Sequence, residues 1–236
     1  MEKFIRINKF LADAGIASRR AVDQMIQDGR VSINGQRAQA GQKISSDDQI
    51  SLDGANIHSK EKKYITILLN KPDDCITTTH DERGRKTVLQ YVRISERVYP
   101  IGRLDRHTTG VLLLTNDGDL ANKLMHPRFS VEKTYHAYLD KPLTETHMKK
   151  LESGIMLDEK KTAPANLKIH NQSRRDIFIT IHEGMNRQVH RMFESLRYTV
   201  LKLDRIAYAG MTAGTLKRGE WRYATPQELK KLSTNR

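Results

Sequence analysis

The sequence predicts an α+β fold: a small helix-helix-hairpin unit over residues 1–60, then a larger domain over residues 64–236 with a mainly antiparallel mixed sheet. Three observations predict it. Before residue 28, apolar side chains twice recur at helical spacing and then yield to short extended runs bounded by Asn-Gly and Asp-Gly. The stretch from Gly54 to Lys63 is polar and ends in Lys60-Glu-Lys-Lys63, the composition of a linker. Beyond it, β-rich runs mix with helical patterns but mostly lack strand-helix-strand spacing, which favours antiparallel pairing.

In the first unit, Ile5, Ile7, Phe10, Leu11 and Ala14 follow a helical period that Gly15 interrupts. Ser18 is placed to cap a second helix reaching about Gln27. Asp28-Gly29 turns the chain into a strand at 31–33, and Asn34-Gly35 marks a hairpin because both residues tolerate positive φ. A further strand at 49–52 ends at Asp53-Gly54. In Asn8-Lys9-Phe10-Leu11, the Gly15 break, Ser18-Arg19-Arg20 and Val31-Ser-Ile-Asn-Gly35, the unit resembles the S-four RNA-binding domain. The resemblance implies that Lys9, Arg19 and Arg20 face RNA phosphates. Taken alone, these residues and Arg30 are also compatible with a solvated helix face.

In the larger domain, strand-like runs fall at 64–69, 111–115, 134–139, 176–181 and 199–203, and helical patterns begin near Thr87, Asp119, Thr144, Arg187 and Pro226. Asn116-Asp117-Gly118-Asp119 lacks the ligand spacing of a calcium loop and reads as a turn that caps the next helix.

Composition narrows the function. Forty-one basic against twenty-eight acidic side chains leave a net charge of +13, which favours a polyanionic partner through release of phosphate counterions. The first sixty residues hold +2 of this and the remainder +11, so most of the field belongs to the larger domain. A single cysteine, Cys75, excludes an intramolecular disulfide and a multi-cysteine metal cluster, and suits a reducing compartment. Neither an apolar signal core nor a run of ~20 apolar residues is present, so a cytoplasmic protein without a membrane association is expected.

One carboxylate stands out. Asp105 lies between Gly102 and Gly110, in a loop that feeds the apolar run Val111-Leu-Leu-Leu114. The stretch from Tyr99 to Gly118, with Gly102-Arg-Leu-Asp105 followed by Thr, Gly and an apolar strand, resembles the signature of RNA pseudouridine synthases. Over nearly its whole length the chain is similar to the RsuA/RluB/RluF family of ribosomal RNA enzymes.

That resemblance implies a catalytic Asp105 that acts without cofactor or metal. The residues leave open whether Asp105 serves as a nucleophile or as a general base. Arg103 matches the motif arginine that in related synthases occupies the space left by a flipped base; a phosphate contact or a salt bridge is the other reading. Tyr135, in Glu132-Lys-Thr-Tyr135, matches the family tyrosine that packs on the target base, and Leu201 or Leu203 matches an aliphatic pocket residue. In Glu183-Gly-Met-Asn-Arg187-Gln-Val-His190-Arg191, the family places a basic residue after Val189 to face the aspartate, whereas this chain has His190. Protonated His190, neutral His190 as a hydrogen-bond donor, or Arg187 or Arg191 as substitutes remain open. Gly219-Glu-Trp-Arg222 matches a family end motif expected to pack the last helix on the sheet.

The expected activity is therefore isomerisation of uridine to pseudouridine in ribosomal RNA or an assembly intermediate, by a monomer. Large-subunit RNA is preferred because Leu124-Met-His-Pro-Arg128 and the Glu-Lys-Thr-Tyr context resemble the RluB/RluF side. Small-subunit RNA, an RNA-binding assembly factor of weak activity, and a base-removing hydrolase are the alternatives.

Overall fold

The computed structural model describes residues 4–58 and 63–234. The chain divides into two compact units, Met1–Lys63 and Tyr64–Arg236. Of the linker expected at 54–63, residues 59–62 lie outside the described residues, and Ala55–Ile57 is a strand.

In the first unit the helices Ile7–Asp13 and Arg19–Gln27 bury Ile7, Leu11, Val22 and Ile26 against Val31, Ile44 and Ile50. Ser18 Oγ accepts from the Ala21 N–H at 3.2 Å, closing the second helix as its position suggested. Four antiparallel strands follow in the order Gln36–Arg37, Val31–Ile33, Ile50–Leu52 and Ala55–Ile57. Two turns fix this order: Asn34 and Gly35 have φ of 51° and 78°, and Asp53 and Gly54 have φ of 49° and 81°. The second turn reverses the chain where a linker was expected, which is why the hairpin gains an edge strand.

The larger unit is built on one mixed sheet. Its strands run in the order Asn166–Ile169, Asp176–Ile181, Lys133–Leu139, Val200–Tyr208, Thr109–Thr115, Thr66–Lys71 and Trp221–Tyr223. Pairing along this path is antiparallel except between Val200–Tyr208 and Thr109–Thr115, which run parallel through Asp204 with Thr109 and Arg205 with Gly110. Core lies on both faces. Ile67, Leu69, Leu112 and Leu114 pack with Met192 and Phe193 of the helix Gln188–Glu194, while Leu68, Val111 and Leu113 pack with Ala121 and Leu124 of the helix Gly118–Met125. The run 111–114 is uninterruptedly apolar because neither of its faces meets water.

Asp117 caps the helix after this strand, accepting from the N–H groups of Asp119 at 2.9 Å and Leu120 at 3.1 Å. The pattern near Thr87 yields only a single 3-10 turn, Val88–Gln90. The run at 199–203 continues to Tyr208, because Asp204 and Arg205 belong to the strand despite their charge. Gly219-Glu-Trp-Arg222 leads into an edge strand, and Arg222 holds Glu228 of the helix Pro226–Thr234 by two contacts of 2.7 Å. Among the described residues no helix is long and apolar enough to cross a membrane.

Candidate active site

The loop that presents Asp105 is clamped from several sides. Thr77 Oγ1 donates to the Leu104 carbonyl at 2.8 Å, and the Leu104 N–H donates back to the same oxygen at 3.2 Å. Beneath the loop lies Lys71, a fully buried lysine whose Nζ donates to the carbonyls of Pro72, Arg106 and Thr108 at 3.1, 3.0 and 2.9 Å. Burial pushes this ammonium down to about 8, while Asp105 is among the acidic groups pulling it back up. Lys71 thus places a buried cation under the loop that carries Asp105. The flanks are tied by an ion pair of Arg106 with Asp74 at 2.5 Å and a hydrogen bond between His107 Nδ1 and Asp73 Oδ1 at 3.0 Å.

Gly110 lets two strands meet beside this loop. Its φ is +103°, and a Cβ there would collide with the Arg205 carbonyl oxygen and with Asp204 Oδ1. That same Asp204 oxygen accepts from Thr109 Oγ1 at 2.7 Å and pairs with Arg218 at 2.9 Å. On the far side of Val200–Tyr208, the register with Lys133–Leu139 shifts between Thr134 and Tyr135. Ile206 is the extra residue, and such a bulge re-aims the side chains around it. Tyr135 and Arg205 become direct neighbours across the sheet.

These elements enclose a cavity of about 360 Å³ whose wall includes Arg103, Asp105, Tyr135, Arg187, His190 and Leu203. Six of the seven residues expected at the site therefore meet in one place. Arg191 does not line the cavity; it pairs with Asp158 at 2.6 Å. Leu201 is 52% exposed, so of the two leucines considered only Leu203 faces the cavity. Lys9, Arg19 and Arg20 lie on or beside the two helices of the other unit, with Arg19 and Arg20 exposed, while Arg30 pairs with Asp53 at 2.6 Å.

His190 is held in a loop-to-helix segment that Gln188 staples. The Gln188 side chain accepts from the Met185 N–H at 2.9 Å through Oε1 and donates from Nε2 to Glu183 Oε1 at 2.7 Å. Arg187 starts the helix in a left-handed conformation with φ 48°. Burial, and then the nearby Arg187, hold the His190 imidazole below its ordinary value of 6.5, against the opposing pull of Asp105. The neutral form is thus favoured at neutral pH. His190 does not repeat the permanent positive charge of an arginine at this position.

The wall also includes Lys133, Gln188, Arg205 and Tyr208, to which the sequence reading gave no role. Burial, reinforced by Arg205, lowers Lys133 to about 8, and its Nζ donates to the Val131 carbonyl at 3.0 Å. Tyr208 donates to the Leu124 carbonyl at 2.9 Å and is pushed up to about 12 by burial. Lys71 was missed as well. The strand period offered a signal, since it places Lys71 on the same face as Ile67 and Leu69. Among the described residues, three buried side-chain atoms lack a hydrogen-bond partner: Thr108 Oγ1, His190 Nδ1 and one Arg205 amino nitrogen. All three residues line this cavity. Among the described residues, no group of three or more His, Cys, Asp or Glu is placed to hold a metal ion.

A carboxylate loop ahead of a central strand, an adjoining tyrosine and a cavity of mixed polar and apolar lining set into a mixed sheet have the arrangement of an enzyme active site. The chain matches the model of the family described as RNA pseudouridylate synthase over residues 65–195, and that of the S4 domain over residues 5–50. It belongs to the RNA pseudouridine synthase family. It is 44% identical over 233 residues to the ribosomal large subunit pseudouridine synthase B of Bacillus subtilis, covering 96% of this chain and 95% of that one. With the dual-specificity RNA pseudouridine synthase RluF of Escherichia coli it shares 36% identity over 226 residues, covering 95% and 77%. A crystal structure of a pseudouridylate synthase superposes with a TM-score of 0.72 at 31% identity, covering 97% of this chain and 99% of that chain. The protein is thus an RNA pseudouridine synthase carrying an S4 domain.

Proposed function

We propose that the protein isomerises uridine to pseudouridine in ribosomal RNA, that the large-subunit RNA is its substrate, and that Asp105 is the catalytic residue. The observation that carries this reading is the convergence of Asp105 with Tyr135, Leu203 and the three unpartnered polar atoms in one cavity. Buried polar groups without partners are rare, and their concentration here supports a polar ligand that completes them. Tyr135 is 8% exposed and offers a ring against which a base can lie, at about 1–3 kcal/mol of stacking. That stacking helps to offset the few kcal/mol of taking a base out of its helix. Exposed Arg103 at the rim suits the space that base leaves or a neighbouring phosphate.

Asp105 makes no side-chain hydrogen bond or ion pair among the described residues, so its oxygens are available to the ribose or the base. Lys71 beneath the loop, rather than His190, supplies the nearby positive charge, one that burial lowers to about 8. In this reading Lys9, Arg19 and Arg20 of the unit at 1–60 engage RNA phosphates, and the catalytic unit spans 64–236. The protein acts as a cytoplasmic monomer on ribosomal RNA or an assembly intermediate. The large-subunit preference rests on the activity for which the Bacillus subtilis relative is named and on the sequence contexts at 124–128 and 132–135.

The test is pseudouridine mapping of both ribosomal RNAs from cells with and without the gene, alongside purified wild-type and Asp105→Asn enzyme. Loss of a large-subunit pseudouridine on deletion, with an inactive Asp105→Asn protein that still binds RNA, is the expected result. Loss only in small-subunit RNA refutes the substrate, and an active Asp105→Asn enzyme refutes the catalytic assignment. Free uracil and abasic RNA as products would mark a hydrolase instead.

A further inference from the structure

Arg205 is a charged group in a nearly dry place. It is 2% exposed, lines the cavity that holds Asp105, and sits in register with Tyr135 on one side and Gly110 on the other. Its orientation is fixed: Nε donates to the Val111 carbonyl at 2.7 Å, and the guanidinium carbon lies 4.6 Å from the centroid of the Tyr208 ring. One amino nitrogen is buried with no partner. Among the described residues no carboxylate forms an ion pair with it. A guanidinium donates and never accepts, so only an incoming acceptor can complete it. Leaving a charged donor unmatched out of water is costly, and native structures hold few such groups without a partner.

The isomerisation generates that acceptor. The C1′–N1 bond breaks with its electron pair departing on the uracil, where N1 and the carbonyl oxygens share the negative charge. The C1′–C5 bond then forms, C5 loses its proton and N1 gains one, so the product is an isomer and nothing is oxidised or reduced. Whether Asp105 first attacks the sugar or the ring, or removes a ribose proton, the base carbonyls carry charge along the way.

On the reading that the cavity receives a uridine of RNA, we propose that Arg205 donates a hydrogen bond to a carbonyl oxygen of the target uracil and stabilises the charge that the detached ring carries. The placement supports this. Tyr135, beside Arg205 in the sheet, presents its ring to the base, while Asp105 precedes the strand on the opposite side. Lys133, two residues before Tyr135, brings a second cation to the same wall. Preorganised donors in a closed site act most strongly on charge that develops during the reaction.

The experiment uses the full-length enzyme and ribosomal RNA transcripts carrying uridine, 2-thiouridine or 4-thiouridine at the mapped target, with rates measured under single turnover. Sulfur accepts hydrogen bonds more weakly than oxygen. Arg205→Gln is expected to lower the rate on uridine by about 100-fold or more, with KM little changed. One of the two sulfur substitutions slows the wild-type enzyme, and Arg205→Gln tolerates that same substitution without further loss. Arg205→Lys keeps the charge and falls between. Equal sulfur penalties in wild-type and variant enzyme overturn the assignment, as does a wild-type enzyme indifferent to both sulfurs. Should Arg205→Gln melt early, Arg205→Lys decides by the same comparison. A wild-type enzyme that forms no pseudouridine in any ribosomal RNA refutes the underlying reading instead.

Discussion

Gly110→Ala tests whether the parallel strand pair is what assembles the site. The residue sits at φ +103°, outside the region an alanine adopts at ease, and its added Cβ would meet the Arg205 carbonyl and Asp204 Oδ1. The backbone conformation alone costs roughly 1–2 kcal/mol for a residue with a side chain. Relieving the collision requires the two strands to part, an overpacking cost of about 1–3 kcal/mol. The sum is about 2–5 kcal/mol, or a fall in Tm of roughly 5–20 °C for a unit of this size. Gly102→Ala is the internal control, because Gly102 also has positive φ, +72°, but has nothing within 4 Å of the added carbon. It should lose only the conformational part. Thermal unfolding followed by circular dichroism measures both, and single-turnover pseudouridine formation reports the spacing of Asp105 from Arg205. A Gly110→Ala protein that melts no earlier than Gly102→Ala would refute the reasoning, since the close approach would then carry no cost.

Two further expectations concern pH. His190 is held below 6.5, so losing its proton should not reduce activity as the pH rises from about 6.5 into the alkaline range. Rates for the wild type and His190→Gln should share that part of the profile, and a wild-type decline through this range that vanishes in the variant would contradict a neutral imidazole. Glu228 is held at about 2 by the Arg222 guanidinium, against an ordinary value of 4.5. A lowered carboxyl stabilises the fold above its unfolded value, and that contribution fades as pH falls through the folded one. Because the two side chains are 34% and 22% exposed, solvent screens the pair to about 1 kcal/mol or less. Glu228→Gln should thus melt earlier than wild type at neutral pH, with the gap narrowing only below pH 4.5; a gap independent of pH would exclude the ion pair as its cause.

How much was legible in the sequence can be followed residue by residue. The caps at Ser18 and Asp117 and the Asn34-Gly35 turn were readable because they satisfy backbone groups within a few residues of themselves. Asp105, Tyr135 and Leu203 were found through motif resemblance, and the fold brings them to one cavity. Arg191 was placed with them because its helix carries the motif, but local spacing does not say which side of a helix faces the cavity and which faces Asp158. The edge strands Asn166–Ile169 and Trp221–Tyr223 went unread, being short and half-exposed, with stability borrowed from the strands beside them.

The sequence by itself determined the two-unit α+β plan, the doubly buried strand at 111–114 and the carboxylate just ahead of it, since periodicity, turn chemistry and apolar runs are local properties of the chain. Only the tertiary structure decided which positive charges surround that carboxylate. Lys71 and Arg205 lie 34 residues before and 100 residues after Asp105, and each is a charged side chain inside a strand, of a residue type mostly found at the surface. Their burial follows from sheet order and one parallel pairing, which join segments far apart in the chain, and burial is what turns an ordinary cation into one that shapes the site.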